Sequence, residues 1–119
     1  MILADTSVWI DHLRRRNRAL VQLLEADELF IHPWVIGELA LGSIADRLRF
    51  LETLSLLPRL RAASDSEISS LVESSRLFAR GIGWVDAGLL ASCLAHPCRL
   101  FTLDQRLADL AEELGIGRA

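Results

Sequence analysis

The sequence contains no lysine, and all 13 of its basic residues are arginines. This absence excludes the Walker-type phosphate loop GxxxxGK[ST] and a phospho-acceptor receiver domain, which needs a lysine late in its sheet. Arginine suits the bidentate recognition of phosphate, but the base composition of a genome also produces arginine-only chains. The arginine bias therefore assigns no function by itself.

Cysteines are few, and long apolar runs are absent. Cys93 and Cys98 lack the CxxC spacing and the neighbouring cysteines or histidines of a zinc or redox motif. We interpret both as small buried hydrophobic residues, consistent with a reducing cytoplasm. No secretory signal pattern opens the chain, and no apolar run approaches the length of a membrane span. The sequence predicts a soluble, cytoplasmic protein without a membrane association.

The length of 119 residues predicts one domain, residues 1–119, that is long enough to bury a core. Apolar residues make up 51% and charged residues 24%, as in ordinary soluble proteins. The net charge of −3 argues against a protein that coats nucleic acid without selectivity. Without the four acids discussed below the charge becomes positive, so the remaining surface need not repel a polyanion.

Short apolar runs alternate with amphipathic segments along the chain. Strands are predicted at MILAD, ELFIH and CRLFTL, with a short edge strand in LGIG. Helices are predicted to begin at Thr6 or Ser7 and to cover 18–26, 33–42, 44–57, 64–79, 84–95 and a segment after Asp104. This alternation predicts an α/β fold with a parallel sheet, whose ligand sites lie at the carboxyl ends of the strands.

Four carboxylates stand out from this pattern. Asp5 is the only charged residue in MILADTSVWI, Glu38 in WVIGELALG, and Asp86 in GIGWVDAGLLASCLAHPC, while Asp104 follows RLFTL. Ionised acids are rarely buried unless they are paired or bound to a metal. The nearest arginines in sequence lie outside the first three segments, so we predict a divalent cation shared by several of these acids.

The chemistry of such a cluster is restricted. Mg²⁺ and Mn²⁺ prefer oxygen ligands, and an acid cluster without histidine favours phosphodiester hydrolysis over redox or acyl chemistry. A haloacid-dehalogenase-like phosphatase needs a DxD element, but Thr6 and Ser7 follow Asp5. Asp5 and Asp104 are expected at strand ends, with Asp86 at the start of a helix and Glu38 reaching the same place from another.

The segments ADTSVWIDHLR, HPWVIGELALG, GIGWVDAGLLAS and LFTLDQRLADLAEELGI resemble, in order and over nearly the whole chain, PIN-domain toxin ribonucleases of the VapC type. The resemblance implies a PIN-like fold with a short parallel sheet flanked by helices. It implies an Mg²⁺- or Mn²⁺-dependent endoribonuclease that cuts structured RNA, a homodimer and a cognate antitoxin. Finally, it places the catalytic and metal-binding acids at Asp5, Glu38, Asp86 and Asp104, with Asp5 and Asp86 in direct contact with metal.

Two positions depart from the family pattern. Many relatives carry a basic residue after the last acid, where this chain has Gln105, and a polar residue two positions after the third acid, where it has Gly88. Neither departure removes a predicted metal ligand. Two alternatives stay open: a non-catalytic PIN-like binding module whose acids support the fold, and a single-stranded DNA nuclease or phosphodiesterase.

Several other side chains have two interpretations. Ser7 and Thr102 either orient a carboxylate or satisfy the backbone, and Asp109 is either an auxiliary acid or an exposed partner of Arg106. The run Arg14, Arg15, Arg16 and Arg18 is either a solvated helix end or, if it flanks the acids, a contact for RNA phosphates. Core positions are expected for Trp9, Trp34 and Trp84, a surface position for Asp11, and no catalytic role for His12, His32 and His96.

Overall fold

Three short parallel strands lie at the centre of the protein, whose computed structural model describes residues 1–118. The strands are β1 (Ile2–Ala4), β2 (Leu29–Phe30) and β3 (Arg99–Phe101), in the sheet order β2–β1–β3. Leu3 of the central strand pairs with Phe30 on one side and Leu100 on the other. Such a strand is covered on both faces, and Leu3 and Ala4 are accordingly fully buried. The predicted parallel α/β architecture is confirmed.

Seven helices surround this sheet. They are α1 (Thr6–Arg15), α2 (Arg18–Glu25), α3 (Pro33–Ala40), α4 (Arg47–Leu54), α5 (Asp65–Ser74), α6 (Trp84–Ala95) and α7 (Gln105–Glu113). Their starts follow local capping chemistry: Ser64 and Glu67 form a capping box at α5, and Asp104 caps α7. The cap of α1 is Asp5 rather than Thr6 or Ser7, because the Asp5 carboxylate accepts a hydrogen bond from the Val8 N–H.

Two predicted helices are shorter in the structure. The helix predicted over 44–57 forms only in α4, because Asp46 adopts a left-handed conformation with φ 51° immediately before it. The helix predicted to reach Ala79 ends at Ser74, and both Arg76 and Ala79 have positive φ angles. The predicted edge strand in LGIG is reduced to a single parallel bridge, Leu100 to Gly117, and a second bridge joins Ile31 to Arg59.

Helix α6 forms the centre of the core. Its residues 87–93 are all buried, which agrees with its apolar sequence. Cys93 and Cys98 are free and buried, which agrees with their interpretation as small hydrophobic residues. Over residues 1–118, no helix combines the length and apolar character needed to cross a bilayer. The core thus fixes the first turn of α6, which carries Asp86, beside the carboxyl edge of the sheet.

Candidate active site

Asp5 is held at the carboxyl edge of the sheet by two hydroxyl groups. It follows β1, and its N–H donates to the carbonyl of Phe101 at the end of β3 (3.0 Å). Because parallel neighbours end at the same edge, Thr102 lies beside it, and Thr102 Oγ1 donates to Asp5 Oδ2 (2.5 Å). Ser7 Oγ donates to the other oxygen, Oδ1 (2.5 Å). Both hydroxyls therefore orient this carboxylate, while Ser7 Oγ also accepts the Leu103 N–H and Thr102 Oγ1 accepts the Asp104 N–H.

The environment of Asp5 is unfavourable for a charge. The residue is only 6% exposed, and it forms no ion pair with any other residue in 1–118. Burial raises the pKa of Asp5, and the hydrogen bonds from Ser7, Thr102 and the Val8 backbone lower it in part. A buried carboxylate with only neutral donors is therefore available to a cation.

Asp86 lies within the electric field of the other three acids. Burial raises the pKa of this half-buried carboxyl, and the nearby negative charge of Asp5 raises it further. The charges of Asp104 and Glu38 add smaller increases, against a lowering by the Gly83 backbone N–H. Asp86 therefore lies close enough to the other three predicted site acids to be repelled by their charges.

Glu38 and Asp104 approach this cluster from the solvent. The expectation that Glu38 interrupts a buried stretch was wrong, because the residue is exposed. Leu41, three residues further along the chain, is 91% exposed. Glu38 Oε1 accepts a hydrogen bond from Thr6 Oγ1 (2.6 Å), which ties α3 to the start of α1. Asp104 is also exposed, and its carboxylate caps α7 by accepting from the backbone of Arg106 and Leu107. Only Asp5 of the four is buried.

The donor set fits a hard divalent cation. Within the described part of the chain, no three His, Cys, Asp or Glu side chains form a ready-made metal group. Mg²⁺ commonly uses only one or two carboxylates directly and completes its shell with water and substrate oxygens. All the converging side chains here offer oxygen, and a cation would relieve the repulsion that raises the pKa of Asp86. The residues therefore fit Mg²⁺ or Mn²⁺ in chemistry.

Residues around the cluster correct two further expectations. Asp109 accepts a hydrogen bond from Gln105 Nε2 (2.7 Å) rather than pairing with Arg106. Trp84, expected in the core, is 49% exposed, whereas Trp9 is buried as predicted. Packing explains why position 88 is a glycine, because a Cβ atom there would collide with the indole ring of Trp34.

A second polar network, built on His32 and Ser92, was not predicted. His32 is fully buried and caps α3, since its Nδ1 accepts the Trp34 N–H (3.1 Å). The proton on the other ring nitrogen, Nε2, then faces Ser92 Oγ (3.0 Å). Ser92 Oγ accepts the Ala63 N–H (3.0 Å) and donates to the Gly88 carbonyl (2.7 Å). Burial lowers the pKa of His32 to about 4, so this network is neutral and structural.

One signal could have indicated part of this network. A histidine directly before Pro33 stands at the usual position of a helix N-cap. The pairing with Ser92 spans 60 residues, and no local pattern announces it.

Comparisons with known proteins agree with this geometry. The family model described as "PIN domain" matches residues 2–113. The chain is 48% identical over 120 aligned residues to Ribonuclease VapC32 of Mycobacterium tuberculosis, in strain CDC 1551 / Oshkosh and in strain ATCC 25618 / H37Rv; the alignment covers 100% of this chain and 97% of each relative. A crystal structure of PAE2754 from Pyrobaculum aerophilum superimposes with a TM-score of 0.66 at 19% identity, covering 95% of this chain and 90% of that one. At that identity the superposition supports the fold alone.

Proposed function

This chain belongs to the PIN-domain family, in its VapC ribonuclease branch, and from that premise we propose that it is a metal-dependent endoribonuclease, the toxin of a toxin–antitoxin pair. The observation that carries the proposal is Asp5, a buried carboxylate at the carboxyl edge of the sheet without a cationic partner in residues 1–118. The substrate is a structured RNA cut in an exposed single-stranded loop, where bases can be splayed out and read. The products carry a 3′-hydroxyl and a 5′-phosphate.

The four acids have different roles in this proposal. Asp5 and Asp86 hold the cation directly, and the exposed Glu38 and Asp104 complete the cluster on the solvent side. Ser7 and Thr102 keep Asp5 in one orientation by donating to its two oxygens. When bound, Mg²⁺ or Mn²⁺ supplies positive charge that stabilises the phosphodiester during attack by water.

The raised pKa values make the site sensitive to acid. Protons and a cation compete for Asp5 and Asp86, whose pKa values both lie above that of an ordinary aspartate. Cleavage should therefore fall as the pH falls through this raised range, at a higher pH than for an unperturbed carboxyl.

Partners are proposed from the family and from the surface. Large apolar side chains are exposed around α4, at Leu41 (91%), Leu48 (70%) and Leu56 (84%). The family implies a homodimer and a cognate antitoxin, and these exposed apolar side chains offer surface to such partners. The cytoplasm is the compartment in which both the RNA and reduced cysteines are expected.

The test is cleavage of total cellular RNA by purified, antitoxin-free protein in EDTA, Mg²⁺ or Mn²⁺. We expect discrete fragments that require the metal, and an Asp86→Asn variant that is at least ~100-fold slower. Asp27→Asn is the matched control: Asp27 precedes β2 and so lies toward the opposite edge of the sheet, and its left-handed φ of 54° suits asparagine.

Three outcomes would contradict the proposal. Folded protein that binds RNA without cutting it in either metal would favour the binding module. Equal cleavage of single-stranded DNA would favour the broader phosphodiesterase. Equal loss of cleavage in Asp27→Asn would show that the effect of Asp86→Asn is not specific to the acid cluster.

A further inference from the structure

A groove leads from the acid cluster along one face of α1. Its volume is about 600 Å³, and it is lined by Ser7, Ile10, Asp11, Arg14, Arg15 and Leu103. The helical members follow the spacing i, i+3, i+4, i+7 and i+8, which places them in one stripe. The stripe starts beside Asp5 and ends in the basic last turn of α1.

The inner end of this groove is part of the machinery that holds Asp5. Ser7 Oγ donates to the Asp5 carboxylate and accepts the N–H of Leu103 (3.0 Å). Leu103 lies between Thr102 and Asp104, and its side chain is 49% exposed. A chain lying in the groove would therefore pass directly into the acid cluster.

The charge of the groove that is left after ion pairing is positive. Its one acid, Asp11, is neutralised, since Arg15 Nε contacts Asp11 Oδ1 (2.5 Å) and Asn17 Nδ2 donates to Oδ2 (3.0 Å). These two hydrogen bonds lower the pKa of Asp11, so it stays ionised and bound to Arg15. Arg14, on the same stripe, is exposed and forms no ion pair within the described chain.

We propose that this groove binds the single-stranded RNA next to the scissile bond and that Arg14 binds one of its phosphates; the inference rests on the proposed ribonuclease function. Seven residues of helix separate Ser7 from Arg14, a rise of about 10 Å. Arg14 therefore contacts a phosphate away from the reacting one, which makes it a binding residue. Ile10 (37% exposed) and Leu103 give the intervening chain an apolar surface.

The neighbouring arginines provide matched controls. Arg16 and Arg18 belong to the same basic run, but neither lines the groove. Arg16 ends α1 in a left-handed conformation with φ 55°, and Arg18 begins α2. Arg14→Gln and Arg18→Gln thus remove the same charge from the same end of the molecule, and only Arg14 lines the groove.

The experiment measures kcat/KM for a short single-stranded RNA, at a series of salt concentrations, for the unaltered protein, Arg14→Gln and Arg18→Gln. A parallel arm measures binding of the same fluorescently labelled RNA to these variants in an Asp86→Asn background. We expect Arg14→Gln to weaken both quantities about fivefold to tenfold at low salt and to reduce the slope of log affinity against log salt by about 0.7. Arg18→Gln should change the slope much less.

If Arg14→Gln and Arg18→Gln had equal salt slopes in both arms, the proposal that this groove binds the RNA would be wrong. That result differs from failure of the ribonuclease proposal, in which the unaltered protein itself leaves RNA intact. A change confined to Arg14→Gln in the binding arm would support the groove even if the oligonucleotide is cut slowly.

Discussion

The protein contains two polar networks that penetrate its core, and they satisfy their members in different ways. In the His32–Ser92 network every hydrogen-bonding group meets a partner and no member is charged. In the Asp5 network a buried carboxylate receives only uncharged donors, the hydroxyls of Ser7 and Thr102 and backbone N–H groups that include Val8. The first network is complete without a ligand, whereas the second retains uncompensated charge.

This difference separates a structural polar cluster from a functional one. A buried polar group that is fully paired stabilises one arrangement of the core. A buried charge without a counter-charge lowers stability, and such perturbed groups occur preferentially where a protein binds or reacts. Burial of a polar residue is therefore less informative than the balance of charge around it.

The Trp34 ring packs against the His32–Ser92 network. The Trp34 ring packs on Gly88 and lies edge-on to His32, with ring centroids 5.3 Å apart and planes at 63°. Gly88 lies two residues from Asp86 and supplies the carbonyl that Ser92 binds. Helix α6 thus carries both Ser92 of the neutral network and Asp86 of the acid cluster.

Replacing the central serine of each network with alanine should reveal the largest difference between the two networks. Ser92→Ala leaves the His32 Nε2–H and the Ala63 N–H without acceptors in the core, so the free energy of unfolding should fall by about 2–4 kcal/mol. Cleavage by the folded variant should be unchanged. Chemical denaturation and RNA cleavage at a temperature well below the transition measure the two effects.

Ser7→Ala should show the opposite behaviour. Ser7 is part-exposed, so water can replace its hydroxyl, and the free energy of unfolding should change by less than about 1 kcal/mol. Cleavage should fall, and its acid limb should move to higher pH because Asp5 loses a hydrogen bond that lowers its pKa. Equal losses of stability in the two variants would contradict the division into structural and functional networks.

The packing of Trp34 on Gly88 can be tested with two helical glycines. Gly88→Ala forces Trp34 to move and should lower the free energy of unfolding by about 1–3 kcal/mol. Gly37→Ala on α3 meets no atom within 4 Å, and alanine should stabilise that helix by about 0.5–1 kcal/mol. Thermal unfolding of both variants measures the difference, and a tolerated Gly88→Ala would show that the Trp34 packing is not fixed.

The pH dependence of stability is limited to about 1.4 kcal/mol per pH unit for each titrating group. The folded pKa of His32 is about 4, below its ordinary 6.5, so the unfolded chain takes up the proton first and acidification through this window destabilises the protein. Asp86 has the opposite sign: its pKa is raised in the folded state, so protonation there favours the fold.

Removing the Asp86 carboxyl should make the stability of the protein depend more steeply on pH. Asp86→Asn should lose stability more steeply than the unaltered protein as the pH falls from neutrality toward 4, because the opposing contribution of the carboxyl is gone. Denaturation midpoints across this range measure the slopes. Superimposable curves would show that Asp86 carries no raised pKa in the folded protein.

Local chemistry explains which parts of the structure could be predicted. The strand at Leu3, the cap of α7 at Asp104 and the position of α6 follow from periodicity and capping residues. The identity of the acid cluster followed from isolated charges, although the reason given for Glu38 was wrong. A charge alone in an apolar run can lie on an exposed helix face, since burial depends on what packs against that face.

Other features depend on contacts that local patterns do not encode. The hydrogen bond between His32 and Ser92 and the packing of Trp34 on Gly88 join α3 to α6. The left-handed Asp46 that shortens α4 has no glycine to announce it. The groove on α1 appears only once Leu103 is placed beside Ser7.

The order of the strands also has a consequence for biosynthesis. The central strand β1 is made early, yet the hydroxyl that orients Asp5 comes from Thr102, 97 residues later. Closing so long a loop costs entropy that only late contacts can offset. A nascent chain that has reached α6 carries Asp5, Glu38 and Asp86 but lacks β3, Thr102 and Asp104. The hydrogen bonds that orient Asp5 are therefore incomplete until β3 and Thr102 have been synthesised.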